Sequence, residues 1–120
     1  MSILLIDTSG PEAWVALVKD GEILSEHTWL ADRLLAVTLL EKIDDLLEEC
    51  RISVSDLKKI AVVSGPGHWS GLRTGIVVAS VLAGAAGSKL VDLGLPRRKD
   101  ELIGAVGGAE SVDAVLVRYT

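Results

Sequence analysis

The chain has 120 residues, enough for one compact domain with a single core. Hydrophobic residues make up 49% and charged residues 24%, which excludes intrinsic disorder, and no apolar run reaches the length of a membrane span. The net charge of −5 argues against direct nucleic-acid binding, because phosphate contacts need a basic patch; Lys58-Lys59 and Arg97-Arg98-Lys99 are too short to supply one. With three Trp, one Tyr and no Phe, the core must rest on Leu, Ile, Val and Ala.

In chain order, Ser2 to Ile6 is a short apolar run ending at Asp7, which predicts a strand buried on both faces. Thr8-Ser9-Gly10-Pro11 reads as a turn. Trp14 to Val18 and Glu22 to Thr28 are β-rich runs joined by Lys19-Asp20-Gly21, a hairpin signal because such a turn needs positive φ. From Asp32 to Glu49 the period changes. Leu35, Leu39, Ile43, Leu46 and Leu47 form one helical stripe, Leu34, Val37 and Leu40 widen it, and Asp32 is the expected N-cap.

Ile60 to Val63 then reads as a strand, Gly65 to Gly71 as a glycine-rich loop, Leu72 to Ala86 as a helix and Lys89 to Leu93 as a further strand. This is a right-handed βαβ unit. Lys99 to Val106 predicts a short helix broken by Gly107-Gly108, and Val112 to Tyr119 a last strand. A meander followed by βα units resembles the ribonuclease-H-like lobe of actin and its relatives, so the expected fold class is α/β.

Around the glycine-rich loop the sequence runs Ser64-Gly65-Pro66-Gly67-His68-Trp69-Ser70-Gly71-Leu72-Arg73-Thr74-Gly75-Ile76. It resembles the signature of the TsaB (YeaZ) family, G-P-G-S-F-T-G-x-R-x-G, with Gly65, Pro66, Gly67, Gly71, Arg73 and Gly75 matching outright. The opening Ile3 to Ser9, a strand ending in Asp-Thr-Ser, is similar to the start of that family. The resemblance covers residues 1–95 as an actin-fold N-terminal lobe. Residues 96–120 are expected to complete the same domain with a divergent helix and strand. Family members are usually about twice as long, so the resemblance implies a shortened form lacking most of the second lobe. The family's usual His before the first long helix is also missing; Leu34-Leu35 stands there.

What the resemblance implies is a non-catalytic scaffold in tRNA threonylcarbamoyladenosine (t6A) modification. It would pair with the catalytic paralogue TsaD, with the ATPase TsaE as a further candidate partner, and would meet tRNA only indirectly. Homodimer and heterodimer are both open. The helices near Asp32 to Glu49 and after Gly71 are the implied contact, with Leu35, Leu39, Ile43, Gly71, Gly75 and Ala79 as candidate interface residues. The small residues Gly71, Gly75, Ala79 and Ala83 at intervals of four serve either close internal packing or a subunit interface. Arg73 either fixes the loop through backbone carbonyls or reaches a partner carboxylate. Asp7 is a vestigial metal or nucleotide position and an organiser of its loop.

Other chemistry finds little support in the residues. His27 and His68 lack metal-ligand spacing, and no metal or cofactor is expected. A Ser64 or Ser70, His68 and Asp7 triad lacks the Gly-x-Ser-x-Gly elbow. In a dinucleotide reading Asp92 would hold a ribose, but the spacing is G-x-G-x-x-x-G and Pro66 removes an amide. Two alternatives to the scaffold remain: an actin-like nucleotide-binding phosphotransferase, and a self-associating regulator outside the pathway. The lone Cys50, set beside Glu48 and Glu49, should have a raised pKa, and it fits a reducing compartment. With no secretory leader in view, because Asp7 interrupts the N-terminal apolar run, the cytoplasm is the expected location.

Overall fold

A computed structural model describes residues 2–65, 71–94, 99–108 and 111–112. Strands β1 (Ser2–Asp7), β2 (Glu12–Lys19) and β3 (Glu22–Leu30) form the meander. Its tight turn falls at Asp20 and Gly21, with φ of 53° and 79°. Both residues in the left-handed region is the pairing a two-residue hairpin requires, since its twist then matches that of the strands. Helix α1 (Leu35–Cys50) leads through a short 3-10 turn (Val54–Asp56) to β4 (Leu57–Val63). Helix α2 (Gly71–Ala86) and β5 (Lys89–Gly94) complete the βαβ unit, and α3 (Lys99–Gly108) and β6 (Ser111–Val112) follow.

The six strands make one sheet in the order β3-β2-β1-β4-β5-β6. β1 is antiparallel to β2 and β2 to β3, whereas β1, β4 and β5 run parallel. β6 returns antiparallel on β5. Because β3 and β1 point the same way, α1 and α2 both start at the edge where the parallel strands end and descend to the opposite edge. The two helices cover one face of the sheet. Leu4, Ile6, Val15, Leu17, Ile60 and Val62 meet α1 and α2 there. On the other face Leu5, Trp14, Ala16, Val18, Ala61, Val63, Val91 and Leu93 pack with Leu102 of α3. The strands in the middle of the sheet are therefore buried on both sides, as their unbroken apolar runs require.

Two local expectations change, and one element is added to them. Asp32 does not cap α1: its carboxylate accepts the Leu34 N–H at 2.8 Å in a turn ahead of the helix, and Leu34 holds the cap position without a side-chain bond. The 3-10 turn at Val54–Asp56 has no apolar period to announce it; Ser53 and Asp56 close it reciprocally. Helix α3 runs on through Gly107 and Gly108. Of the expected last strand, Val112 lies in β6, and 113–119 are outside the described residues.

Candidate functional site

At the edge where β1, β4 and β5 end, the sequence places its polar motif residues. Thr8, fully buried just past β1, donates its hydroxyl to the Gly71 carbonyl at 2.8 Å, fastening the first residue of α2 to the end of β1. A Cβ added to Gly75, one turn further along α2, would collide with that hydroxyl. Asp7 turns its carboxylate to its own loop, accepting the Ser9 N–H at 2.9 Å and the Ser9 hydroxyl at 2.6 Å. Across β4, the Asp92 carboxylate accepts the Ser64 hydroxyl at 2.6 Å and the Gly94 N–H at 2.8 Å. The Gly94 carbonyl in turn accepts the N–H groups of Ser64 and Gly65 at 3.0 and 3.1 Å. Gly65 leaves the strand at φ 112°, a conformation that side chains disfavour.

These bonds reassign several residues. Ser64 is buried, and its hydroxyl is donated to Asp92. Asp92, within β5, ties the end of β4 to the end of β5 through Ser64 and Gly94. Pro66, Gly67, His68 and Ser70 lie outside the described residues, and Arg73 is exposed on the first turn of α2. Thr8 belongs both to the expected turn and to the Asp-Thr-Ser opening that resembles the family, but neither indicates its bond to Gly71. Its one clue is a hydroxyl immediately after a fully buried strand.

The interface candidates move as well. Leu35, Leu39 and Ile43 are at most 3% exposed and face the sheet, and Gly71, Gly75 and Ala79 are on the buried side of α2. All six are buried within this chain, because the stripe that makes a helix amphipathic is the stripe the sheet consumes. The residues left outside are Leu34 at the cap of α1, Val37 and Leu40 within it, and Val77 and Val81 of α2, each about half exposed or more. Val77 and Val81 are one turn apart and share a face. Since α1 and α2 pack together side by side, these five apolar side chains lie on the outer surface of one helix pair.

Two polar clusters flank the helices. His27 on β3 meets Glu49 of α1 at 2.8 Å, and a shallow cleft of about 300 Å³ is lined by His27, Asp45, Glu48 and Glu49. Among the described residues no set of three ligand-type side chains is arranged to hold a metal ion. On the far face, Glu26 accepts the Trp14 indole N–H at 2.8 Å and meets Lys99 at 3.1 Å, while Lys99 also sits 5.3 Å from the Trp14 ring centre. The Trp14 hydrogen bond, helped by Lys99, holds the Glu26 carboxyl below the usual range. Burial pushes the Cys50 thiol up, with the Glu49 charge adding to it; the direction matches the sequence reading, though burial is the larger cause. No described helix is long and apolar enough to cross a membrane.

Comparison with known proteins agrees with this architecture. The family described as TsaD, tRNA N6-adenosine threonylcarbamoyltransferase, matches residues 27–93, more than half of the chain. The tRNA threonylcarbamoyladenosine biosynthesis protein TsaB of Bacillus subtilis (strain 168) is 34% identical over 83 residues, covering 69% of this chain and 36% of that protein. The structure of YeaZ from Pseudomonas aeruginosa superposes with a TM-score of 0.70 at 34% identity, covering 78% of this chain and 43% of that one. RuvC of Thermus thermophilus shares the fold at a TM-score of 0.59 and 12% identity, over 93% of this chain and 100% of that one. The chain is thus an α/β lobe of the ribonuclease-H-like type, and it spans well under half the length of the TsaB and YeaZ relatives it matches.

Proposed function

We infer the function from one premise: this chain belongs to the TsaD family and, within it, to the TsaB (YeaZ) group. Its role is that of a non-catalytic scaffold subunit in tRNA t6A modification, working in the cytoplasm and docking a TsaD-like subunit. Residues 1–95 form the lobe that docks, and 96–120 complete it. The observation that carries this reading is the outer surface of α1 and α2, where Leu34, Val37, Leu40, Val77 and Val81 stand exposed together. Apolar side chains grouped on adjacent helices mark an interaction surface more than a solvent-facing one. The engagement of Asp7 by Ser9 and of Asp92 by Ser64 and Gly94 supports a structural part for both carboxylates. With a net charge of −5, contact with tRNA falls to the partner.

The test is light scattering on a sizing column with the full chain and the TsaD-like subunit of the same cell, alone and mixed. The expected result is a one-to-one complex lost in a Val37→Glu/Val81→Glu variant that remains folded. Gly75 is unsuitable for this purpose, because its environment beside Thr8 makes any side chain there a folding defect first. Independent elution at micromolar concentration would overturn the scaffold reading. A homodimer indifferent to the second protein would favour the self-associating regulator, and magnesium-dependent ATP binding lost in Asp7→Ala the phosphotransferase.

A further inference from the structure

The outer face of α1 changes character along its length. Val37, Glu41, Asp44 and Glu48 follow one another at helical spacing on the exposed side, so an apolar first half gives way to an acidic second half. The helix carries Glu41, Asp44, Asp45, Glu48 and Glu49 against Lys42 alone. Glu49 is engaged by His27 and Ser25. Among the described residues Glu41, Asp44, Asp45 and Glu48 form no ion pair, although Lys42 and Arg51 are close in sequence; Lys42 lies over the Trp29 ring, 5.9 Å from its centre.

Two independent effects make this arrangement unfavourable for the isolated chain. Glu41 and Asp45, Asp44 and Glu48, and Asp45 and Glu49 are like-charge pairs four residues apart, which repel on a helix. Most of the carboxylates also sit in the C-terminal half, where the carbonyl ends of the helix dipole favour cations, and the last turn holds no basic residue. His27 meets Glu49 and Arg51 caps the end of the helix, but the Glu41/Asp45 and Asp44/Glu48 pairs have no cation paired to them among the described residues.

We propose that the α1/α2 face is built for a helix of a second protein that is apolar against Val37, Leu40, Val77 and Val81 and lysine- or arginine-rich against Glu41, Asp44 and Glu48. This rests on the docking reading above and adds to it the chemistry of the partner. Cations brought in by that helix neutralise the row of carboxylates and oppose the dipole, so association relieves what the free chain carries. A second copy cannot supply the complement from its described helices. α1 is itself acidic, α2 offers Arg73 as its one cation, and α3 has Leu102 turned into the core. Charge would thereby direct the choice between pairing with another protein and pairing with itself.

The experiment uses the full chain and the TsaD-like subunit of the same cell, with Kd measured by titration calorimetry at low and high salt. The Asp44→Lys/Glu48→Lys variant is expected to bind at least about tenfold more weakly at low salt and to lose most of the salt dependence. The same variant, alone, should melt at a higher temperature than the parent chain. Weaker binding by a more stable protein is a combination that damage to the fold does not produce. If this variant binds like the parent with the same salt dependence, while Val37→Glu/Val81→Glu abolishes binding, docking stands and the charge proposal is overturned. If neither variant changes binding, or the parent chain does not bind, the docking reading fails and takes the proposal with it. Tighter self-association of the parent chain than binding to the second protein would also overturn it.

Discussion

Helices α1 and α2 lie side by side on one face of the sheet, have the same length and run in the same direction, yet they are attached to it by opposite means. α1 buries only large side chains, Leu35, Leu39, Ile43 and Leu46. α2 buries Leu72, Ile76 and Val78 too, but alternates them with the small residues Gly71, Gly75, Ala79 and Ala83 and is pinned at its start by the Thr8 hydroxyl. α1 is heavily charged outside, whereas Arg73 is the only charged residue of α2. The lesson is that a helix holding the sheet through large side chains loses stability when they are shortened. One holding it through small side chains loses stability when they grow.

The largest effect should come from α1. Leu39 is fully buried, and Leu39→Ala is expected to destabilise by about 2–5 kcal/mol in urea unfolding, through lost burial and the cavity left behind. The exposed neighbour Leu40, changed to Ala, should stay within about 0.5 kcal/mol. Equal losses at the two positions would mean that α1 does not face the sheet as described.

For α2 the sign of the volume change reverses. Gly75→Ala adds one methyl group directly against Thr8 and should cost about 1–3 kcal/mol from overpacking. Thr8→Ala alone also destabilises, since it leaves the buried Gly71 carbonyl without its donor. Combined, the two changes should cost less than their sum, because the second removes the hydroxyl that the first strikes. Strict additivity in a double-mutant cycle would show that the two residues do not touch.

The smallest effect lies on the far face, where α3 is tied through Lys99 to Glu26 and Trp14. The folded-state pKa of Glu26 is depressed, so its contribution is present above the unfolded carboxylate pKa and is lost as pH falls through the folded value. Lys99 and Glu26 are 50% and 38% exposed, which screens the pair and limits it to less than about 1 kcal/mol. Glu26→Gln should therefore lower the melting temperature slightly at neutral pH and leave it unchanged at pH values below the carboxylate range. A deficit that persists in acid would assign the loss to packing.

Much of this was legible before any coordinates. Periodicity marked the meander, both long helices and the βαβ crossover, because each element obeys its own spacing of apolar residues. The Asp20-Gly21 turn was legible because few residues tolerate positive φ. The ends were less so: α1 begins three residues after Asp32, whose carboxylate found the Leu34 N–H in a turn of its own. The resemblance in the Gly65 to Gly75 loop and in the Asp7-Thr8-Ser9 opening points to the family, but neither motif shows that Thr8 reaches Gly71.

By itself the sequence determined which residues are apolar, how they are spaced and hence which segments are helix and which strand, since these depend on neighbours a few positions apart. Tertiary structure alone decided which side of each helix is consumed. Leu35, Leu39 and Ile43 looked as available to a partner as Leu34, Val37 and Leu40 until the sheet was set beneath them. Structure alone also brought Thr8 to Gly71 across 63 positions of chain and Ser64 to Asp92 across 28. The reason is physical: period reports that a face is apolar, but only the placement of the other elements determines what covers it.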